Sequence, residues 1–378
     1  MADGTDGEKR GTPAEPKPIG APVTIAPSPW SRIPRYLLAF AIGAIGSVIF
    51  VYFRMPLPWY LGALTACLIA SVAQLPIERP RPLAGPLRAT LGVAVGSAFT
   101  PAVLDNVGPM AGSLLIVIPF MILITTTSMT FYTRLAGFDR PTAFFSAVPG
   151  GLADMTAMAE QAGANQRTVI LVQATRIVLI VFSVPLFLQI HDGLAAKSVF
   201  ASPVRLADMT LTGAATLVAM AAIGWGTAHR LGLAGAPIVG PMIVSGIAHA
   251  LGLTTVRLPL ELLVFAQIGV GVLLGCQFRG LTLKEFSHTM VWGLLNAVVL
   301  LSVTAVVVVL VSRLTGFDQV SVLMAFAPGG QTELNLLAFV LGVDVAYVAL
   351  HHLARLAIVI FGAQLVFKTQ KNWRRDDA

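Results

Sequence analysis

The sequence predicts an all-α membrane protein that consists of two internal repeats of about five transmembrane helices each. Of its 378 residues, 56% are hydrophobic and only 11% are charged, and the mean hydropathy is +0.81, whereas a soluble domain has roughly 25% charged residues. A Pro-Gly-Gly break interrupts an apolar stretch at Pro149-Gly150-Gly151 and again, 179 residues later, at Pro328-Gly329-Gly330. Interrupted backbone at membrane depth has to line a cavity or be covered by protein. The chain is therefore expected to be a duplication built around two helix breaks.

Five consecutive parts follow from this pattern. The start of the chain is rich in proline and carries charges of both signs without apolar periodicity, which predicts a disordered cytoplasmic tail. The uncharged stretches further along are long enough, with the runs after the two breaks, for about ten spans of a ~30 Å hydrocarbon layer. The predicted parts are a tail (1–34), a first membrane repeat (35–190), an inter-repeat loop (191–206), a second membrane repeat (207–368) and a basic cytoplasmic tail (369–378).

The two halves align without gaps around the breaks. Identical residues at the same offset include Gly137, Phe138, Asp139 and Arg176 of the first half. Upstream, Gly92 and Gly96 align with Gly271 and Gly275, a spacing that lets helix backbones approach closely. Repeats of this kind are typical of secondary transporters, which hold their substrate between discontinuous helices of the two halves.

The orientation of the repeats depends on how the chain passes the breaks. If each break turns back as a re-entrant segment, each half crosses the membrane five times and the halves are inverted. If each break crosses fully, each half crosses six times and the halves are parallel. Both arrangements place both termini in the cytoplasm and the same number of Lys and Arg residues on the cytoplasmic side, so positive charge does not decide between them.

The paired motifs carry a resemblance to a known family. VPGGLADM followed by QATRIVLIVFSVP, and APGGQTELNLLAF followed by HHLARLAIVIFG, resemble the AbrB duplication family of bacterial inner-membrane proteins, from about Arg35 to Phe367. Members of this family are labelled regulators of gene expression or ammonia-monooxygenase-like. The arrangement is also similar to that of glutamate and citrate symporters, whose re-entrant glycine loops build an ion and substrate site. This second resemblance implies the inverted arrangement.

The predicted solute site lies at the breaks, where free N–H and C=O groups at helix ends attract anions and cations respectively. Gln331, Thr332 and Asn335 follow the second break, whereas the first has Leu152, Ala153 and Thr156 at these positions. This difference favours the second break as the main solute contact. An intramembrane arginine also needs a partner or an aqueous cavity. The predicted solute-binding residues are Gly329, Gly330, Gln331, Thr332, Asn335, His352 and Arg355 in the second half, with Gly150, Gly151, Gln173 and Arg176 in the first.

Two roles stay open for each pair of aligned charged residues. Asp154 and Glu333 follow the breaks directly, where a carboxylate either couples transport to Na⁺ or H⁺ or caps the helix N-terminus. Arg176 and Arg355 either grip a substrate carboxylate through a bidentate contact or pair internally with Asp154 or Glu333.

Enzyme and nucleic-acid functions find little support in the residues. The histidines are scattered except for His351-His352, so neither a metal site nor a cofactor is predicted, and Cys67 and Cys276 have no metal-ligand spacing. The only extended polar segment is the Pro-rich tail, so no direct contact with nucleic acid is expected. The sequence predicts a secondary transporter of a small anionic or amino-acid-like solute in the inner membrane, with a membrane-bound, indirectly acting regulator as the alternative. A homo-oligomer is compatible with either.

Overall fold

The computed structural model describes residues 29–101, 107–150, 152–191, 204–233, 235–280 and 283–369. All regular structure in these ranges is helical. The α-helices described are α1 (Pro29–Tyr52), α2 (Pro58–Val72), α3 (Ala84–Gly96), α4 (Val107–Arg134), α5 (Arg140–Ala147), α6 (Leu152–Gln161), α7 (Gln166–His191), α8 (Leu211–Arg230), α9 (Ala236–Ala250), α10 (Leu260–Gly275), α11 (Leu283–Thr315), α12 (Gln319–Phe326), α13 (Gln331–Leu341) and α14 (Val345–Thr369). We call α1–α7 the first half and α8–α14 the second half.

Six of the described helices, α1, α4, α7, α8, α10 and α11, are long and apolar enough to cross a membrane. Shorter apolar helices cover Pro58–Val72, Ala236–Ala250 and Val345–Val359. The all-helical, membrane-type fold predicted from composition is therefore confirmed. Helix α1 begins at Pro29 rather than at the predicted boundary near residue 35, and the remainder of the predicted tail, like most of the inter-repeat loop, lies outside the described residues.

The first group of helices, α1–α3 with α8–α10, packs through glycines. A Cβ on Gly62 of α2 would lie 2.5 Å from the Gly46 carbonyl oxygen of α1, and a Cβ on Gly240 of α9 would overlap the Gly224 carbonyl oxygen of α8. Backbone therefore meets backbone at both crossings, an approach that any side chain would prevent.

The aligned glycine pairs belong to the same group. Gly96 of α3 lies against the Met242 carbonyl of α9, and Gly271 and Gly275 of α10 lie against the Tyr60 and Leu64 carbonyls of α2. Gly92 likewise lies against the α9 backbone. These glycines serve helix packing.

The second group, α4–α7 with α11–α14, contains both helix breaks. Asp139 caps α5 by accepting from the Thr142 N–H, and Asp318 caps α12 by accepting from the Ser321 N–H, so both short helices start at an aligned aspartate. They end at Ala147 and Phe326, where extended backbone at Val148 and Ala327 precedes the Pro-Gly-Gly sequences. Helices α6 and α13 then start afresh.

Candidate functional site

The Arg355 side chain of α14 spans the second break. Its Nη1 donates to the Ala327 carbonyl at 2.8 Å and its Nη2 donates to the Gly329 carbonyl at 3.0 Å. The side chain is only 5% exposed. The guanidinium therefore holds the backbone on both sides of Pro328.

The Arg176 side chain of α7 does the same at the first break. Its Nη1 donates to the Ser146 and Ala147 carbonyls at 3.2 and 3.0 Å, and its Nη2 lies 3.5 Å from the Val148 carbonyl. The residue is 2% exposed. Both arginines thus bind the end of a short helix from the second helix after the break.

The residues one turn before the arginines complete this arrangement. Gln173 donates from Nε2 to the Phe145 carbonyl at 2.6 Å, and His352 donates from Nε2 to the Met324 carbonyl at 3.2 Å. Because a carbonyl only accepts, His352 carries its proton on Nε2 and leaves Nδ1 as an acceptor. Each break is therefore held by a pair of side chains from matching positions.

These contacts have a clear physical reason. The last carbonyls of a helix have no partner within the helix and carry the negative end of its dipole, so a cation stabilises them. The two roles predicted for the arginines did not include this one. Arg355 and Glu333 are within electrostatic range of each other but do not reach the 4.0 Å of an ion pair, so the predicted internal pair of these two residues is not formed.

Glu333 lies in the first turn of α13. Its carboxylate covers Gly330 so closely that a Cβ there would overlap Oε2, which places the negative charge at the helix N-terminus, where the dipole favours it. This position fits the capping role. The side chain also lies near the buried hydroxyl of Tyr60 on α2 and within electrostatic range of Arg88 on α3, so it faces the first group of helices as well.

Three polar atoms behind the second break have no hydrogen-bond partner although they are buried: Gln331 Nε2, Asn335 Oδ1 and His352 Nδ1. The Asn335 amide makes only a weak contact with the Met242 sulfur, at 3.8 Å. Thr332 is half-buried beside them. A donor and two acceptors therefore remain free in the region that the sequence predicted as the main solute contact.

In the described part of α6, the helix after the first break, no comparable set of buried, unpartnered polar atoms is present. Gly150 packs against Val359 of α14 and Met155 of α6, in the way that Gly329 packs against Ile180 of α7. Gly151 and the Asp154 side chain lie outside the described part, so the predicted ion-coupling role of Asp154 stays a prediction.

Two cavities lie at opposite ends of α3 and α10. The larger, of about 720 Å³, is lined by Arg88 near the start of α3 and Gln277 after the end of α10, with Arg79, Arg81, Arg279 and Glu160 around it. The smaller, of about 380 Å³, is lined by Ser97 after the end of α3 and Leu258 before the start of α10, with Arg257 and Asp344. The break region of α13 lies between these ends, because α13 packs on α3.

Positive charge dominates the larger cavity. Burial, followed by the charges of Arg88 and Arg81, lowers the pKa of Arg79 in the loop before α3. Glu78 faces this group and lies 3.7 Å from Arg32 and 3.9 Å from Arg279. An anion entering the cavity would relieve this repulsion. The described residues contain no group of three or more His, Cys, Asp or Glu side chains that would hold a metal ion.

Sequence reasoning missed several residues of the site, among them Tyr60, Arg88 and the arginines of the larger cavity. They come from helices or loops distant in the sequence, and their only signal was a polar side chain next to or inside an apolar stretch. His351 lies 2.9 Å from the Ser113 hydroxyl of α4 and bonds to the Tyr347 carbonyl one turn earlier in α14, so it is hydrogen-bonded within the core.

The fold and these breaks define a helical protein of membrane type. The family model described as "Transition state regulatory protein AbrB" matches residues 59–371, and the chain belongs to this family. Over 343 residues it is 24% identical to the "Uncharacterized protein YhjN" of Bacillus subtilis (strain 168), covering 85% of this chain and 89% of that protein. Over 320 residues it is 24% identical to the "Putative regulator AbrB" of Escherichia coli (strain K12), covering 84% and 91%. No solved structure matches.

Proposed function

We propose that the protein is a secondary transporter of a small anionic or amino-acid-like solute, coupled to Na⁺ or H⁺. The observation that carries this proposal is the pair of helix breaks, each held by a buried arginine and each followed by a new helix start. Broken helices from matching positions of two halves form the substrate and ion sites of many secondary transporters. The proposal places the protein in the bacterial inner membrane, with both termini in the cytoplasm.

Helix packing supports a duplicated architecture. Helix α1 packs on α2 as α8 packs on α9, α2 packs on α10 as α9 packs on α3, and α5 packs on α7 as α12 packs on α14. Two contacts, α3 with α10 and α4 with α11, join a helix to its own counterpart. Such self-paired contacts are what a two-fold axis between two repeats produces.

Two contacts favour inverted halves with re-entrant breaks. Arg279 lies 3.9 Å from Glu78, and Arg167 donates to the Gly280 carbonyl at 3.3 Å. The parallel arrangement needs Glu78 on one side of the membrane and Arg167 and Arg279 on the other. The inverted arrangement puts all of these residues on the cytoplasmic side, which agrees with the contacts and gives about five crossings in each half.

The two cavities support alternating access to a site between them. In the inverted arrangement the arginine-rich cavity opens to the cytoplasm and the cavity with Asp344 opens to the opposite side. Solute would bind at the second break, where Gln331, Asn335 and His352 offer unpartnered polar atoms beside the Arg355 guanidinium. Glu333, between this break and Arg88, is the proposed site of ion coupling, with Asp154 as its aligned counterpart.

A thermal-shift screen of the purified protein against amino and carboxylic acids, with and without Na⁺, tests the proposal. A binding solute raises the melting temperature in proportion to the logarithm of its concentration above Kd. Gln331→Ala should abolish the shift for that solute, whereas the exposed Gln319→Ala at the start of α12 should not. Uptake of the same solute into proteoliposomes should require an ion gradient. A screen without any stabilising acid, or uptake independent of every gradient, would contradict the proposal.

A membrane-bound regulator is the second candidate, because the family description contains the word "regulatory" and the name of one relative contains the word "regulator". We infer that such a role would be indirect, through transport or sensing of the solute, without contact with nucleic acid. In that case changes in gene expression on deleting the protein should be reversed by supplying the solute or by another transporter for it. The enzymatic label of the family, monooxygenase, is not part of this proposal, which needs neither a metal nor another cofactor.

A further inference from the structure

A cluster of buried polar side chains surrounds Arg176 in the first half, and we call it the polar cluster. Its members are Ser128 and Tyr132 of α4, Ser146 of α5, Gln173 and Arg176 of α7, and Asn296 of α11. All six residues are at most 2% exposed. Nothing in the architecture of four packed apolar helices requires so many polar groups in one place.

Each member of the polar cluster has at least one buried polar atom without a hydrogen-bond partner. These atoms are Ser128 Oγ, Tyr132 OH, Ser146 Oγ, Gln173 Oε1, Arg176 Nε and both Nδ2 and Oδ1 of Asn296. An unsatisfied buried polar group destabilises a fold, and such groups are rare in native proteins. Seven of them side by side indicate that something polar binds between these helices.

Several contacts bring the cluster together. Tyr132 packs in one apolar group with Ala143 and Ala147 of α5 and Val172 of α7. Its hydroxyl lies beside the Asn296 amide and within electrostatic range of Arg176.

Helix α11 approaches α7 closely at the same level. A Cβ on Gly293 would lie 2.5 Å from the Thr175 side chain, and Asn296 follows one turn after Gly293. The unpartnered atoms therefore face a common region enclosed by α4, α5, α7 and α11.

The corresponding positions of the second half are apolar. Val117 of α4 aligns with Asn296 of α11 at the offset of 179 residues, and it is buried. Val311 and Ala325 align with Tyr132 and Ser146 at the same offset. Holding the break by an arginine therefore does not need the polar cluster, since the second half does so without it.

The charge of the region selects the ligand. Arg176 repels a cation, and ordered water would satisfy hydrogen bonds but would add no negative charge to the partial charges of the helix end that Arg176 binds. Arg176 and Arg355 are within electrostatic range of each other. Among the described side chains only Glu333 offers a carboxylate to this pair, and it lies on the side of Arg355.

We propose that the polar cluster binds a monovalent inorganic anion of about the size of chloride. Arg176 Nε–H, Asn296 Nδ2–H and the hydroxyls of Tyr132, Ser128 and Ser146 supply up to five donors, and the anion neutralises the guanidinium. Arg176, which the sequence predicted as a solute contact, then serves this second ligand, whereas the free Gln173 Oε1 only accepts and does not contact the anion. The proposal concerns a site separate from the solute site at the second break, and it does not depend on transport.

Chloride binding to the purified full-length protein tests the proposal. In a chloride-free gluconate buffer, adding chloride or bromide should raise the melting temperature with saturation, and the protein should retain radiolabelled chloride. Tyr132→Phe and Asn296→Leu, which remove unpartnered groups while keeping side-chain volume, should each reduce chloride affinity at least tenfold. The control Tyr347→Phe removes another buried, unpartnered hydroxyl, in the second half, and should keep wild-type binding. Melting temperatures in gluconate at or above that of the wild type would show that both variants fold.

Three outcomes would overturn the proposal. In the first, the wild type retains no chloride. In the second, Tyr132→Phe and Asn296→Leu retain chloride as well as Tyr347→Phe does. In the third, only the Asp154→Asn variant binds chloride, which would mean that the Asp154 carboxylate compensates the charge of Arg176 in the wild type. If Gln331→Ala loses solute binding but binds chloride as the wild type does, the two sites are separate. The chloride measurement does not depend on the solute screen, so failure of that screen alone would not contradict the anion site.

Discussion

Arg355 and Gly329 are joined across the second break, because Nη2 of the arginine donates to the glycine carbonyl at 3.0 Å. The same guanidinium reaches the Ala327 carbonyl with Nη1. One planar side chain therefore fixes two peptide groups that flank a proline, and the break owes its shape to this side chain.

Arg355→Lys should destabilise the protein by about 1.5 to 3 kcal/mol, the range for a hydrogen bond to a charged group. A lysine keeps the charge, but its single ammonium cannot bridge both carbonyls in the plane of the fork. Thermal unfolding in detergent measures this, with the exposed Arg313→Lys at the end of α11 as control. Equal stability of the two variants would show that the break keeps its shape without the fork. Solute affinity should fall together with stability, since Gln331 and Asn335 follow the same break.

Glu333→Gln should fold normally and lose the dependence of solute binding on the coupling ion. The amide keeps the shape of the side chain against Gly330 but removes the charge that faces Arg88 and Arg355. Solute affinity measured against Na⁺ concentration and pH tests this, with Glu261→Gln as control, because that exposed side chain only accepts from the Leu206 N–H. An ion dependence identical to the wild type, with a stability loss of about 0.3–1 kcal/mol, would leave Glu333 with the capping role alone.

Gly240→Ala should destabilise the crossing of α8 and α9 by at least about 1–3 kcal/mol, because a methyl group would overlap the Gly224 carbonyl and overpacking costs this much or more. Gly226→Ala, on the partner helix α8 of this crossing, provides the control, since a Cβ there meets nothing within 4 Å. That change should be neutral or stabilising by up to about 1 kcal/mol. The folded yield and the melting temperature of both variants test this prediction. If Gly240→Ala is as stable as the wild type, the backbones of α8 and α9 lie further apart than described.

Single cysteines in a background without Cys67 and Cys276 should report the inverted arrangement. Arg81→Cys and Arg167→Cys should react with an impermeant maleimide from the cytoplasmic side, and Thr100→Cys should react from the other side. All three positions are exposed. Labelling of Arg167→Cys from the side of Thr100→Cys would instead support parallel halves, and a cysteine at Ala195 in the inter-repeat loop gives an independent answer.

The breaks were predictable because a proline followed by two glycines strongly disfavours a continuous helix, whatever the surroundings. The buried arginines were predictable for the same local reason, since a charge inside an apolar run stands out in the sequence. The acceptors of Arg355 were not, because they are backbone carbonyls 26 and 28 residues upstream and backbone carries no sequence signal.

The sequence also did not predict which helices pack against the breaks. Asn296 and Tyr132 come together through the packing of α11 on α4 and α7, and each looks unremarkable in its own stretch. The close approach of glycines, by contrast, was expected from spacing alone and is confirmed at Gly96 and Gly275.

The shortness of α3 has an electrical consequence. This helix has 13 residues, ~20 Å at 1.5 Å per residue, and a cavity lies at each of its ends. Where water fills both cavities of a protein in a bilayer, the membrane voltage falls mainly across the layer between them. A single charge that passes from Arg88 at one end to Ser97 at the other would then gain most of the ~2.3 kcal/mol that 100 mV supplies, so the resting potential of the cell would act directly on a step only a few helical turns long.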